Sequence, residues 1–231
     1  MRLTPVPSGI LQVNTWIVPL TGSKVLVIDP AACKFSHDET AILSYLDKNR
    51  LEPCGILLTH GHFDHITGTR ILKDRFPNCK IAVHKEDALM CGSQACNIQG
   101  TVFDSMGLSY LYESIENLPD ADILISGGET LDKVFAAEEK NDMPLLNSLK
   151  EWKVIHSPGH TPGSVCIYNA AEKTLISGDT VFYHSWGRTD LPGGNDAEMM
   201  QSLSILSKTL PPDTLVYPGH ETYGFTLGGN F

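Results

Sequence analysis

"LLTHGHFDHITG", Leu57 to Gly68, sets three imidazoles and a carboxylate within six consecutive positions, directly behind an apolar run. Side chains two apart on an extended backbone point the same way, so His60 and His62 can grip one ion as the chain leaves a strand. Asp64 and His65 fall where "DHITGTRILKDRF" turns helical, so their side chains leave in another direction and suit a second, neighbouring ion. One stretch therefore seeds two adjacent metal positions. The apolar residues in front of it, 55–59 (GILLT), read as a strand, as do 13–18 (VNTWIV), 24–28 (KVLVI) and 80–84 (KIAVH). All are short and aliphatic or β-branched, bounded by Gly, Asp or Pro.

Working outward, "SHDETAILSYLDKNR" (36–50) predicts a helix between two of these strands. Ser36 and Glu39 fit a capping box, and Ile42, Tyr45, Leu46 and Asn49 follow helical spacing. The second half repeats the grammar, with strands at 153–156, 164–168, 174–177 and 214–217 and a helix from about Asp196 to Lys208. The stretch from Glu86 to Leu149 admits two readings: a helical hairpin and extended loop that only pack, or a lid with Met106, Tyr110 or Tyr112 reaching a substrate.

Three later loops repeat one design. Each ends a predicted strand with a potential ligand among small residues: His160 in "IHSPGHTPGS", Asp179 in "LISGDTVF" and His220 in "LVYPGHETYG". Gly and Pro beside a ligand let backbone approach a metal closely and hold the loop stiff. His37, His84, His156 and His184 lack such surroundings and read as surface or ordinary core imidazoles. Five imidazoles and two carboxylates without a thiolate suit zinc, with iron or manganese next. Divided between two ions, the set leaves open positions for water. A bound ion can lower the pKa of that water from about 15.7 to about 7, giving hydroxide at neutral pH. Open positions therefore point to hydrolysis.

Length and composition bound the rest. At 231 residues with 42% apolar side chains, the chain is read as a single domain over 1–231 with a substantial core. Acidic residues outnumber basic ones 27 to 17, for a net charge of −10, which works against a nucleic-acid partner. No run approaches the roughly 20 apolar residues of a membrane span, and no targeting segment is visible. The six cysteines lack CxxC spacing and are read as reduced, hence a cytoplasmic protein. Cys91 and Cys96 read as filler thiols before a metal or redox pair. Oligomeric state is open.

"THGHFDH", "SPGHTPGS", "SGDT" and "YPGH" resemble, in order and approximate spacing, the motif set of the metallo-β-lactamase superfamily from about Val13 to Gly219. "GRTDLPGG", Gly187 to Gly194, resembles the glyoxalase II (hydroxyacylglutathione hydrolase) branch, especially its short single-domain members. The resemblance implies an α+β fold: a four-layer αβ/βα sandwich, two mixed sheets face to face with helices outside and a metal site along one edge. It implies two Zn(2+) per chain, the first held by His60, His62 and His160, the second by Asp64, His65 and His220, with Asp179 bridging. The chain stops eleven residues after His220, so the helical C-terminal domain of glyoxalase II proper is not expected, and with it glutathione recognition is in question.

The activity so implied is hydrolysis of a small-molecule acyl thioester such as S-lactoylglutathione by a metal-bridging hydroxide, which Asp64 would orient as well as ligate. Arg188 and Asp190 read as a salt bridge bracing the ligand loops, with a role for Arg188 on an anionic substrate as the other reading. Two rivals stand beside the hydrolase. In a mononuclear-iron persulfide dioxygenase, His60, His160 and Asp179 would form a two-histidine, one-carboxylate face. The other rival is a non-catalytic metal-binding module. A β-lactamase is disfavoured by the lack of an export signal.

Overall fold

The computed structural model describes residues 3–135 and 142–230. In the first half, β1 (Thr4–Ser8), β2 (Val13–Thr21) and β3 (Lys24–Ile28) form an antiparallel meander. Helix α1 (Ala41–Asn49) crosses to β4 (Glu52–Leu57), which is followed by α2 (Phe63–Ile66) and α3 (Thr69–Arg75). β5 (Lys80–His84), α4 (Ala95–Ser105), α5 (Tyr112–Ile115) and β6 (Ile123–Ile125) come next. β3 through β6 pair in parallel, completing a six-stranded mixed sheet in chain order.

After α6 (Leu131–Phe135) and α7 (Met143–Lys150) come β7 (Trp152–His156), β8 (Val165–Asn169) and β9 (Thr174–Gly178). β10 (Val181–Phe182) and β11 (Ser185–Trp186) make a small hairpin before α8 (Asp196–Thr209), β12 (Leu215–Pro218) and β13 (Phe225–Thr226). The second sheet has the order β13-β12-β9-β8-β7 and is also mixed.

Alternation along the strands decides the layering. Trp16, Val18, Leu26, Ile28 and Leu57 face Val154, Val165, Ile167 and Ile176 of the second sheet, forming the central core. Their neighbours Ile17, Val25, Val27, Ile56 and Ile81 turn outward under Ile42 and Leu46 of α1, Leu72 of α3 and Phe103 of α4. On the far side Cys166, Leu175 and Val216 lie under Met199, Leu203 and Leu206 of α8. Each fully buried Leu or Ile contributes roughly 1.5–3 kcal/mol. The result is the expected α+β sandwich of helices, sheet, sheet and helices.

One local expectation is corrected. The Ser36 and Glu39 capping box does not form: the Ser36 hydroxyl donates to Cys33 O at 3.1 Å and to the Asp38 carboxylate, closing a turn, and α1 begins later with Thr40 making no side-chain cap. "DHITGTRILKDRF" turns helical as expected, in two pieces, α2 and α3. The chain breaks at Thr67 and Gly68, whose hydroxyl and amide donate to Ala31 O and Pro30 O at 2.6 and 2.8 Å.

Strand direction positions the site. β3, β4 and β5 run in parallel, and in the second sheet β7, β9 and β12 share one direction because β8 is antiparallel to both its neighbours. The loops carrying the candidate ligands leave the C-terminal ends of β4, β7, β9 and β12. A hydrogen bond from Val165 N to Thr59 O at 2.8 Å ties the sheets together where they meet. Among the described residues no helix is long and apolar enough to cross a membrane.

Candidate metal centre

All seven predicted ligands meet at this edge. His62 Nδ1 and His160 Nε2 lie 2.8 Å apart, and the His60 ring lies 4.9 and 4.7 Å from theirs, centroid to centroid. On the other side His65 Nε2 stands 3.2 Å from His220 Nε2 and 3.5 Å from Asp64 Oδ2. Asp179 sits between the groups, Oδ1 3.5 Å from His65 Nε2 and Oδ2 3.6 Å from both His160 Nε2 and His220 Nε2. Two separate clusters thus have the spacing to hold a cation, His60, His62 and His160 on one side and Asp64, His65 and His220 on the other, and a third group of that spacing, Asp29, His60 and His65, overlaps them.

Four of the five rings are aimed by a bond on their other nitrogen. His65 Nδ1 donates to Asp29 Oδ2 at 2.9 Å, His160 Nδ1 to the Arg188 carbonyl at 2.7 Å and His220 Nδ1 to the Leu11 carbonyl at 3.2 Å. His60 Nδ1 meets the Thr59 hydroxyl at 3.1 Å. With one nitrogen engaged, the other is left to point inward as a ligand.

The donors fit divalent cations. His60 Nε2 and Asp179 Oδ1 are buried with no hydrogen-bond partner, an expensive state unless a further group completes it. Burial and then repulsion from the other imidazoles hold His60 well below its usual pKa, and burial followed by His160 brings His62 to about 3. Both rings are therefore neutral, with lone pairs free. On the second side burial opposes the charge on His65, but Asp179, Asp64 and Asp29 outweigh it and raise its pKa. His220 is raised too, its burial outweighed by the hydrogen bond to Asp64. For Asp179 and Asp64 burial pushes upward and the histidines, His65 foremost, pull both below the ordinary carboxylate range.

Three residues behind the ligands carry no motif signal. Asp29, at the end of β3, accepts from Thr59 N at 2.7 Å and Thr59 Oγ1 at 2.6 Å besides His65. Asp87 accepts from Gly61 N, Gly163 N and Thr161 Oγ1 at 2.9, 2.7 and 2.6 Å, joining the loop of His60 and His62 to that of His160. Gln99 on α4 accepts from Phe63 N and donates to Gly61 O, both at 2.9 Å.

Arg188 lines the cleft above the ligands, and its guanidinium is held by Asp190 through two bonds of 2.6 and 2.7 Å. Met106 and Tyr110 line the same cleft, whereas the Tyr112 hydroxyl donates to Asp104 at 3.1 Å. Of the segment 86–149, residues between Met90 and Leu111 wall the cleft, while 136–141 lie outside the described residues. His84 and His156 stack on each other, centroids 4.2 Å apart, and join neither cluster. Cys91 and Cys96 are free thiols, as are the other four cysteines.

A sequence profile described as the Metallo-beta-lactamase superfamily matches residues 8–220. The chain is similar to the hydroxyacylglutathione hydrolase of Pectobacterium atrosepticum, 30% identical over 222 residues that cover 96% of this chain and 66% of that protein. Among solved structures it is similar to the BLEG-1 B3 metallo-beta-lactamase, with a TM-score of 0.77 at 28% identity, covering 98% and 95% of the two chains. It is also similar to TTHA1623 in a di-iron-bound form, with a TM-score of 0.73 at 29% identity over 97% and 94%.

Proposed function

Because the chain belongs to the metallo-β-lactamase superfamily, we propose that it is a metal-dependent hydrolase that cleaves an acyl thioester. The observation that carries this reading is the convergence of five imidazoles and two carboxylates from four strand ends, of which His62, Asp64, His160, Asp179 and His220 line one open cleft. His60, His62 and His160 would hold one Zn(2+) and Asp64, His65 and His220 a second, with Asp179 shared between them. When bound, such a pair supplies Lewis acidity and a water that ionises near neutral pH. The similarity to a hydroxyacylglutathione hydrolase supports the choice of thioester.

The chain's own residues supply the rest. Asp64, whose carboxylate stays ionised, orients the attacking hydroxide as well as ligating. The carbonyl of Arg188 and the carboxylate of Asp29 fix His160 and His65 in the tautomers that face inward. A thiolate leaves without needing a proton, so the site requires no separate general acid.

Purified protein loaded with zinc, assayed on a panel of thioesters, tests the reading. Turnover above a chelator-treated control is expected, together with two zinc ions per chain by elemental analysis. One iron per chain, no thioester turnover, and oxygen uptake on glutathione persulfide would replace it with the dioxygenase reading.

A further inference from the structure

We propose that the substrate's acyl group is a long or bulky hydrocarbon lying along α4; this deepens the hydrolytic reading above and rests on it. The cleft over the ligands measures about 1050 Å³, the upper end of the range for small-molecule sites. Its α4 wall is an i, i+4, i+8 stripe of Ile98, Val102 and Met106, extended by Tyr110. From Ile98 to Met106 the stripe runs roughly 12 Å at helical rise. These side chains are not sealed into the core: Ile98, Met106 and Tyr110 are 44%, 50% and 56% exposed. A contiguous exposed apolar surface that leads down to a polar floor marks a ligand-binding wall.

Gln99, bonded to Gly61 O and Phe63 N, fixes this wall against the ligand loop, so the hydrocarbon and the reacting carbonyl are held in one frame. The cleft is also lined at 185–192, by Ser185 and Arg188 together with the apolar Trp186, Leu191 and Pro192.

Charge bears on the other side of the thioester. A glutathione carrier brings two carboxylates. Among the described residues lining the cleft, Arg188 is the one permanent cation, and Asp190 already occupies its guanidinium while Glu221 adds negative charge nearby, which disfavours glutathione as the carrier. The hydrocarbon of the acyl group needs no charged partner and gains by leaving water.

The test is a series of N-acetylcysteamine thioesters from acetyl to decanoyl, run beside S-lactoylglutathione on the zinc-loaded protein, with decanoate binding followed by calorimetry. We expect kcat/KM to rise by about fourfold per methylene over the first members. Decanoate should bind with a negative heat-capacity change. Ile98→Asp, at a half-exposed position that tolerates a polar side chain, should flatten the chain-length slope and weaken decanoate binding at least tenfold. Val102→Trp should lower the decanoyl-to-acetyl ratio. A flat series with S-lactoylglutathione fastest would overturn the inference and keep the hydrolase. No thioester turnover at all would overturn the hydrolytic reading, and absence of decanoate binding would then separately reject the apolar acyl site.

Discussion

Asp87→Ala should loosen one metal group and spare the other. The carboxylate is fully buried, and burial raises its pKa against the pull of the bonds from Thr161, Gly61 and Gly163. Truncation leaves the amides of Gly61 and Gly163 without an acceptor, while the Thr161 hydroxyl keeps Ser164 Oγ at 2.8 Å. Two orphaned buried donors at about 1–3 kcal/mol each give a loss of roughly 2–6 kcal/mol. Relief of the buried charge offsets part of it, so we expect about 2–4 kcal/mol. Against a typical total of 5–15 kcal/mol the metal-free protein still folds. Urea unfolding of metal-free protein reads the stability, and zinc titration reads the two affinities. His60 and His62 flank Gly61, and His160 adjoins Thr161, so their group should weaken by about 10- to 100-fold. The group of Asp64, His65 and His220 should hold its affinity. Stability within about 0.5 kcal/mol of the parent, or equal weakening of both groups, would refute the clamp.

Three further outcomes follow from the same geometry. Zinc at 100 times its Kd should raise the unfolding free energy by about 2.7 kcal/mol per site, read as a chelator-reversible rise in Tm; no rise would mean the clusters do not bind it. In metal-free protein His65 and His220 have raised pKa values whereas His60 and His62 are neutral. Protons must therefore be displaced to fill the second group, and between about pH 8 and pH 6 its zinc affinity should fall more steeply than that of the first; parallel slopes in competition titrations would contradict this. Arg188→Ala should leave metal stoichiometry and the unfolding midpoint as they are, since the ion pair with Asp190 is exposed and His160 is held by the backbone carbonyl. Loss of one metal would show that the side chain braces the loop.

The strands that were legible are short apolar runs packed on both faces. β3 and β5 match the expected bounds because both faces of Lys24–Ile28 and Lys80–His84 are packed. β1 is invisible to such a reading, since Pro5 and Pro7 forbid a central strand. It survives at the edge of its sheet, paired on one side only, with β2. β2 outruns its predicted end for a related reason. Pro19 lies beyond the last residue paired with β1 and beside a register shift toward β3, so its missing N–H costs no ladder bond between two neighbours. β10, β11 and β13, two residues each, exist only because tertiary pairing holds them.

The ligands were legible because metal binding demands particular side chains beside Gly and Pro. Asp29 and Asp87 were not, because each acts largely through backbone amides of residues 26 to 76 positions away, which any residue but proline at those positions would offer. A signal existed in the topology. β3, β4 and β5 are parallel neighbours, so the residues just past their C-terminal ends share one edge with His60. A carboxylate one residue beyond β3 and another three beyond β5 are thereby delivered behind the ligand loop, where a buried acid persists only if donors converge on it. Once the strands are known to be parallel, acids that follow an apolar run become candidates to orient the ligands even without a motif of their own.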